Sequence, residues 1–213
     1  HVSTRLGGTV LFPVFSTYRN DLERMISVAL RARYVVLWAG SSVCIGFLLL
    51  SPLFFETFWD VRYHEAGIIA QWFSLYVWSM ILLVTVDRIP LALGNSRALF
   101  VANVLRCCAI VIAVGGFYLA GLKGFIIGLS FGPLMAQYYL LSHLSSSRNK
   151  FLQQGVMFTI GMALYALPSL SILHLFRQET SMQQWSITLL FTSIPIATAA
   201  FIVAGRVRAE LKG

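Results

Sequence analysis

The sequence predicts an all-α polytopic membrane protein with about six transmembrane helices. Of its 213 residues, 58% are hydrophobic and only 11% are charged, whereas a soluble domain carries about a quarter charged residues. The hydrophobic residues form continuous runs of about 17–23 residues, the length that crosses a bilayer core as a helix. Strands of a membrane barrel would instead alternate apolar and polar residues. Since backbone groups in lipid must be hydrogen-bonded internally, these runs favour helices.

The first 33 residues are more polar than the rest and form a separate region. Residues 1–15 resemble the inner end of a partial helix, and the start at His1 favours the C-terminal part of a longer protein with a missing N-terminal half. In residues 16–33 apolar positions lie between charges, which predicts an amphipathic helix on the membrane surface. Its arginines, Arg19, Arg24, Arg31 and Arg33, favour the anionic cytoplasmic leaflet.

Residues 34–213 are predicted to form a six-helix transmembrane bundle. The expected spans are residues 34–55, 66–93, 98–120, 125–141, 151–173 and 185–204. Gly128 and Gly132, four residues apart in the fourth span, indicate close packing against a neighbouring helix.

The basic residues in the loops predict the orientation of these spans. Twelve of them fall on one side: Arg5, Arg19, Arg24, Arg31, Arg33, Arg88, Arg97, Arg148, Lys150, Arg206, Arg208 and Lys212. Three fall on the other side: Arg62, Lys123 and Arg177. Because cytoplasmic loops carry the excess of lysine and arginine, both ends of this segment are expected in the cytoplasm. Basic residues in short loops of this kind do not indicate nucleic-acid binding.

A hairpin of the second and third spans carries the charges that are most costly to bury. Its polar turn is Gly94-Asn95-Ser96-Arg97. In an antiparallel hairpin centred on this turn, Asp87 lies level with Arg106. Intramembrane charges of this kind pair with each other or line a substrate path, and the sequence leaves both alternatives open. In a third interpretation, Asp87 and Arg88 lie at the membrane interface and extend their charged groups toward water.

Nine residues are candidates for lining a polar cavity. Arg106 shares a helix face with Asn103, three residues away, and a guanidinium suits an anion because it donates to two oxygens at once. Arg88 and Arg97 lie nearer the mouth than Arg106. The full set is Arg106, Asn103, Asp87, Arg88, Arg97, Gln71, Tyr76, Gln137 and Tyr138.

Nothing in the sequence predicts catalysis. The three cysteines, Cys44, Cys107 and Cys108, lie in apolar runs without metal-ligand spacing. There is no glycine-rich phosphate loop of the ATPase type. We therefore expect neither an enzyme nor a bound cofactor or metal.

Several stretches resemble the O-antigen type polysaccharide flippases of the multidrug, oligosaccharidyl-lipid and polysaccharide exporter superfamily. The run LGGTVLFPVFSTYRND resembles the end of the eighth helix of that family. The run RYHEAGIIAQWFSLYVWSMILLVTVDRIPLALGNSR resembles its next signature, with the turn Leu91-Ala92-Leu93-Gly94 followed by Arg97. Residues 121–128 resemble the glycine-bearing turn that follows, so the resemblance covers most of residues 1–145.

The resemblance implies the second lobe of a 12–14-helix transporter in the bacterial inner membrane. Its substrate would be a polyprenyl-diphosphate-linked sugar, a lipid-linked oligosaccharide moved for surface polysaccharide (lipopolysaccharide O-antigen) biosynthesis. Arg106 fits the diphosphate by its depth, although no motif of the family maps onto it. The sugar hydroxyls would meet Asn103, Gln71, Gln137, Tyr76 and Tyr138. Its other partners would be membrane lipid and the N-terminal half of the same protein. Two alternatives remain, a cation or drug antiporter of the same superfamily and a non-transporting scaffold subunit. An antiporter needs acids in its cavity, and Asp87 is the one acid inside a predicted span.

Overall fold

The computed structural model describes residues 22–144, 147–175 and 181–210, and these residues form helices and turns without a strand. The helices are α1 (Leu22–Phe58), α2 (His64–Val84), α3 (Arg88–Ala92), α4 (Ser96–Ser142), α5 (Arg148–Leu175) and α6 (Ser181–Glu210), with a short 3-10 turn (Val61–Tyr63) before α2. The partial helix predicted for residues 1–15 lies outside the described residues.

Four helical segments are long and apolar enough to cross a membrane. They are Glu23–Phe58, Glu65–Ala92, Ser96–Ser142 and Arg148–Leu173, and a shorter apolar helix covers Ser186–Ile202. The predicted all-helical membrane class is therefore confirmed at this level.

Helix α1 lacks the boundary that was predicted at residues 33 and 34 between a surface helix and a first span. It runs unbroken from Leu22 to Phe58. No glycine or proline occurs between Leu22 and Ala39, so nothing in this stretch interrupts the helical hydrogen bonds. Met25, Ile26 and Ala29 are buried, so this part of α1 packs against protein and is not a separate surface helix.

The predicted turn between the second and third spans is present, and it begins earlier than expected. Helix α2 ends at Val84, and a turn over residues 85–87 leads into the short helix α3. Pro90 lies inside α3, where it supplies no N–H. Gly94 then adopts a φ of +79°, which glycine tolerates without steric cost. Asn95 caps α4, its side chain accepting a hydrogen bond from the backbone N–H of Ala98 at 3.1 Å.

Helix α4 consists of two arms that fold back on each other. Ala120 and Gly121 have non-helical dihedrals, and the φ of Gly121 is +62°. A Cβ on Gly128 would lie 2.6 Å from the Cα of Ala113, so the two backbones are nearly in contact. Ala113 and Gly128 lie at similar distances along the chain before and after residue 121, as facing residues do in an antiparallel helical hairpin. The two arms of this hairpin coincide with the predicted third and fourth spans.

The chain divides into two compact units, each with its own packing. The first unit comprises His1–Val36 and Ser79–Gly155, and the second comprises Leu37–Trp78 and Val156–Gly213. The core of the first unit is a cluster that includes Met25, Val86, Ile89, Leu141 and Phe151. In the second unit, the hydroxyl of Ser42 donates to the carbonyl of Pro195 at 2.8 Å.

Candidate functional site

Arg106 lies on the first arm of α4 and is half-buried. Its Nη1 donates to Asn103 Oδ1 at 3.3 Å, and its Nη2 lies 3.6 Å from the sulfur of Met80 on α2. Gly132 lets the second arm of α4 approach the backbone of Arg106 closely, because a Cβ at this glycine would lie 3.4 Å from the Arg106 Cα. The side chain is thus held between α2 and α4 by weak neutral acceptors, and no described carboxylate forms an ion pair with it.

Asp87 pairs with its sequence neighbour and not with Arg106. Arg88 Nε lies 3.4 Å from Asp87 Oδ1, and the two side chains are 27% and 20% exposed. Neither of these two atoms makes a hydrogen bond, so the contact is Coulombic only. Arg88 and Arg106 are the two bases whose charge acts on this carboxylate. Asp87 and Arg106 are therefore electrostatic neighbours without being direct ion-pair partners.

The other candidates fall in different surroundings. Arg97 is exposed in the first turn of α4, and Tyr138 is exposed while the adjacent Gln137 is buried. Gln71 and Tyr76 belong to the second unit. There the Gln71 amide donates to the carbonyl of Leu48 at 2.7 Å, which joins α2 to α1, and Tyr76 packs on the ring of Phe73.

Arg33 was not among the candidates, and the sequence analysis placed it wrongly. It was expected at a membrane surface, yet its exposed fraction is 1%. All three guanidinium nitrogens are buried without a hydrogen-bond partner, and the group lies 5.5 Å from the centroid of the Phe151 ring. A usable signal existed: Arg33 follows Met25 and Ala29 at four-residue intervals, and residues four apart share a helix face.

Gly155 and Gln137 lie close to the Arg33 guanidinium within the first unit, and Gln154 precedes Gly155 on α5. A Cβ on Gly155 of α5 would lie 3.1 Å from Arg33 Nη2 and 3.9 Å from Gln137 Nε2. Gln154 donates from Nε2 to the carbonyl of Leu30 on α1 at 3.2 Å, and its Oε1 is buried without a partner. A buried cation therefore lies among neutral amides.

Both arginine sites consist of a guanidinium group without a carboxylate partner among the described residues. Among the described residues, no group of three or more His, Cys, Asp or Glu side chains is arranged to hold a metal ion. Guanidinium groups donate hydrogen bonds in a planar fork that matches phosphoryl and carboxylate oxygens. Arg106 donates to a neutral amide oxygen and lies near a thioether sulfur, and no nitrogen of Arg33 donates a hydrogen bond. An anion would be a stronger partner for either group.

Comparisons with known proteins add no relative to this description. No protein-family model matches the chain, and neither a curated protein nor a solved structure matches it. The flippase resemblance of the sequence motifs therefore stays a prediction.

Proposed function

We propose that this chain is part of a transporter that moves a polyprenyl-diphosphate-linked oligosaccharide across the bacterial inner membrane for surface polysaccharide synthesis. The observation that carries the proposal is Arg106, a half-buried arginine inside a membrane-length helix with no carboxylate on its guanidinium. An arginine at this depth is costly and marks a substrate path more often than an ordinary packing position.

The diphosphate is the part of such a substrate that Arg106 suits. Its fork of N–H donors can exchange the weak acceptors Asn103 and Met80 for two phosphoryl oxygens. Asp87 is neutralised mainly by Arg88, its direct neighbour, so the net charge of the Asp87, Arg88 and Arg106 group stays positive. The site therefore attracts an anion.

The apolar surface of the chain suits the other half of the substrate, its polyprenyl tail. Large apolar side chains on α4 and α5 are strongly exposed, among them Val111, Tyr118, Leu119, Leu164 and Leu167. Such a surface favours contact with lipid over water. A lipid-linked sugar needs both features, a lipid-facing wall for its tail and a cationic site for its head.

Six membrane crossings with both ends in the cytoplasm complete the proposal. The two arms of α4 support this number because each is long enough to span a bilayer. The lobe of a 12–14-helix transporter would then consist of α1, α2, these two arms, α5 and α6.

The rival functions make different demands on the same residues. A cation or drug antiporter requires an acid free to exchange protons or cations, and Asp87 lies against Arg88. A scaffold subunit requires no cavity charge at all. The described contacts therefore favour an anionic substrate.

The proposal is tested by replacing Arg106 with alanine and with lysine in the chromosomal gene. We expect Arg106→Ala to abolish surface polysaccharide while the protein accumulates normally, because the diphosphate loses its bidentate partner. Arg106→Lys is expected to retain partial activity, since a lysine keeps the charge and loses the fork. Polysaccharide is measured on gels and protein by immunoblot.

Arg62→Ala is the matched control, because Arg62 is strongly exposed and pairs with Asp60 outside the long helices. It should leave the polysaccharide unchanged. Normal polysaccharide in Arg106→Ala at normal protein levels would refute the diphosphate role. Sensitivity to cationic drugs with intact polysaccharide would instead support an antiporter.

A further inference from the structure

The buried Arg33 guanidinium lacks the partner that a charge in this position requires. It is almost fully buried, and none of its nitrogens donates a hydrogen bond. Both ion pairs found among the described acids and bases exclude it. A buried charge without a counter-charge strongly destabilises a protein, and the contact with the Phe151 ring offsets only part of that cost.

Gln154 adds an unused acceptor beside these unused donors. Its Nε2 is committed to the carbonyl of Leu30, which fixes the orientation of the amide and leaves Oε1 as the free end. That oxygen is buried and unpaired. Leu30 and Arg33 are three residues apart on α1 and therefore share a face. Gly155, the next residue on α5, packs on Arg33 Nη2, so the Gln154 acceptor and the Arg33 donors belong to the same part of the first unit.

Gly155 and Gln137 complete the surroundings. Any side chain at position 155 would press on Arg33 Nη2, since a Cβ would stand 3.1 Å away. Gln137, on the second arm of α4, is 6% exposed and contributes an amide close to the same point. Three helices of the first unit, α1, α4 and α5, therefore direct polar groups at one small volume.

We propose that Arg33, Gln137 and Gln154 bind a phosphoryl group that carries one hydroxyl, such as hydrogen phosphate or a phosphate monoester. The guanidinium donates to two phosphoryl oxygens, and the P–OH donates to Gln154 Oε1. The Gln137 amide donates to the remaining oxygen, which is the third free oxygen of hydrogen phosphate or the ester oxygen of a monoester. Gly155 packs directly against the guanidinium, so admission of the ligand requires a shift of α5 away from α1 at this glycine. This inference goes beyond the transport proposal, since it uses neither Arg106 nor a transported substrate.

Thermal unfolding of the purified full chain in a phosphate-free maltoside detergent tests the site. Inorganic phosphate is titrated against chloride at equal ionic strength, and we expect a saturable rise of the unfolding midpoint with phosphate only. Arg33→Gln should weaken the apparent phosphate affinity by about 10–100-fold, the loss expected for charge-assisted hydrogen bonds. Arg31→Gln removes the same charge two positions away at an exposed site and should leave the affinity unchanged.

A second titration distinguishes the source of the phosphoryl group. Phosphatidic acid is added to the micelles and compared with diacylglycerol, which lacks the phosphate. Stabilisation by phosphatidic acid alone assigns the site to a lipid headgroup, and stabilisation by inorganic phosphate assigns it to a soluble ligand. Either result supports the phosphoryl site, and the absence of both overturns it.

Two further variants separate binding from a purely structural role. Arg33→Leu should raise the midpoint in chloride, because it removes an unpaired buried charge, and should abolish the phosphate effect. Gln154→Glu places a carboxylate beside the guanidinium, so it should also raise the midpoint in chloride and remove the response to phosphate. A lowered midpoint in chloride for both variants would show that Arg33 is already paired, and the proposal would fall. Phosphate binding is measured without transport, so its failure leaves the Arg106 test unaffected.

Discussion

Trp78 is an almost fully buried residue whose single polar atom joins two helices. Its indole N–H, on α2, donates to the hydroxyl of Thr159 on α5 at 2.9 Å. Since Trp Nε1 can only donate and the side chain is almost fully buried, removal of the Thr159 hydroxyl leaves a buried donor without its acceptor. Buried donors that lose their partners cost more than the hydrogen bond itself contributes.

Thr159→Val removes that acceptor while keeping the shape of the side chain. We expect a loss of about 1–2 kcal/mol in the free energy of unfolding, the cost of an unpaired buried donor. The measurement is the denaturation midpoint of the purified protein in detergent. Thr198→Val is the control, because the Thr198 hydroxyl bonds to Pro195 within its own helix at an exposed position. Equal effects of the two substitutions would contradict the role of the Trp78 contact.

At single residues the sequence analysis missed the partner of Asp87 and the burial of Arg33. The level pairing of Asp87 with Arg106 assumed that the second span continues straight to residue 93. Helix α2 ends at Val84 instead, and in the turn that follows Asp87 meets Arg88, which it would not face within a helix. Arg33 was assigned by its charge to the membrane surface, although its spacing from Ala29 placed it on the buried face.

The hairpin formed by the two arms of α4 depends on glycine at its closest approach. Gly116 and Gly124 lie so near each other that a Cβ on either would collide with the backbone of the other. Gly115, one position away, would meet nothing within 4 Å. The structure therefore leaves no space for a side chain at Gly116, whereas it leaves space for one at the neighbouring Gly115.

Gly116→Ala and Gly115→Ala form a matched pair that tests this hairpin. Gly116→Ala should lower stability by about 1–3 kcal/mol or more, because the arms must separate to admit the methyl group. Gly115→Ala should be neutral or stabilising by up to about 1 kcal/mol, since alanine favours the helix. Midpoints of thermal denaturation in detergent give both values. Equal tolerance of the two changes would show that the arms do not pack as described.

The elements show where sequence patterns succeed and where they fail. The turn expected at residues 121–124 is present as the break at Ala120 and Gly121, since glycine signals turns through its own conformational freedom. The boundary expected at residue 33 is absent from α1. A change of composition from amphipathic to apolar does not stop a helix when no residue disrupts its hydrogen bonds.

For the whole chain, the proposed six crossings predict which loops share a side of the membrane. Single cysteines replace Arg62, Lys123, Arg97 and Lys150 in a background with Cys44, Cys107 and Cys108 changed to serine. An impermeant thiol reagent added to intact spheroplasts should label positions 62 and 123. It should label positions 97 and 150 only after the membrane is permeabilised.

Labelling of positions 123 and 150 from the same side would refute this topology. The second arm of α4 would then not cross the membrane between them. The orientation inferred from the basic residues in the loops and the assignment of each α4 arm as one crossing would then both be wrong.

The membrane class of the molecule was predictable because it follows from composition alone. Long apolar runs have few alternatives in lipid, and the helices longer than 20 residues confirm them. The contacts at Arg33 and Gln154 were not predictable, because they join residues more than 100 positions apart. Hydropathy contains no information on which helices become neighbours.

The folded-back shape of α4 also bears on how the protein is synthesised. Its first arm carries Arg106, and an arginine near the middle of an isolated helix opposes insertion by about 2.5–3.5 kcal/mol. Met80 on α2, which contacts Arg106, is translated before the first arm. Gly124 and Gly128 of the second arm, which pack against the first, are translated after it. We therefore expect the translocon to hold the first arm until the second has been made and to release both together.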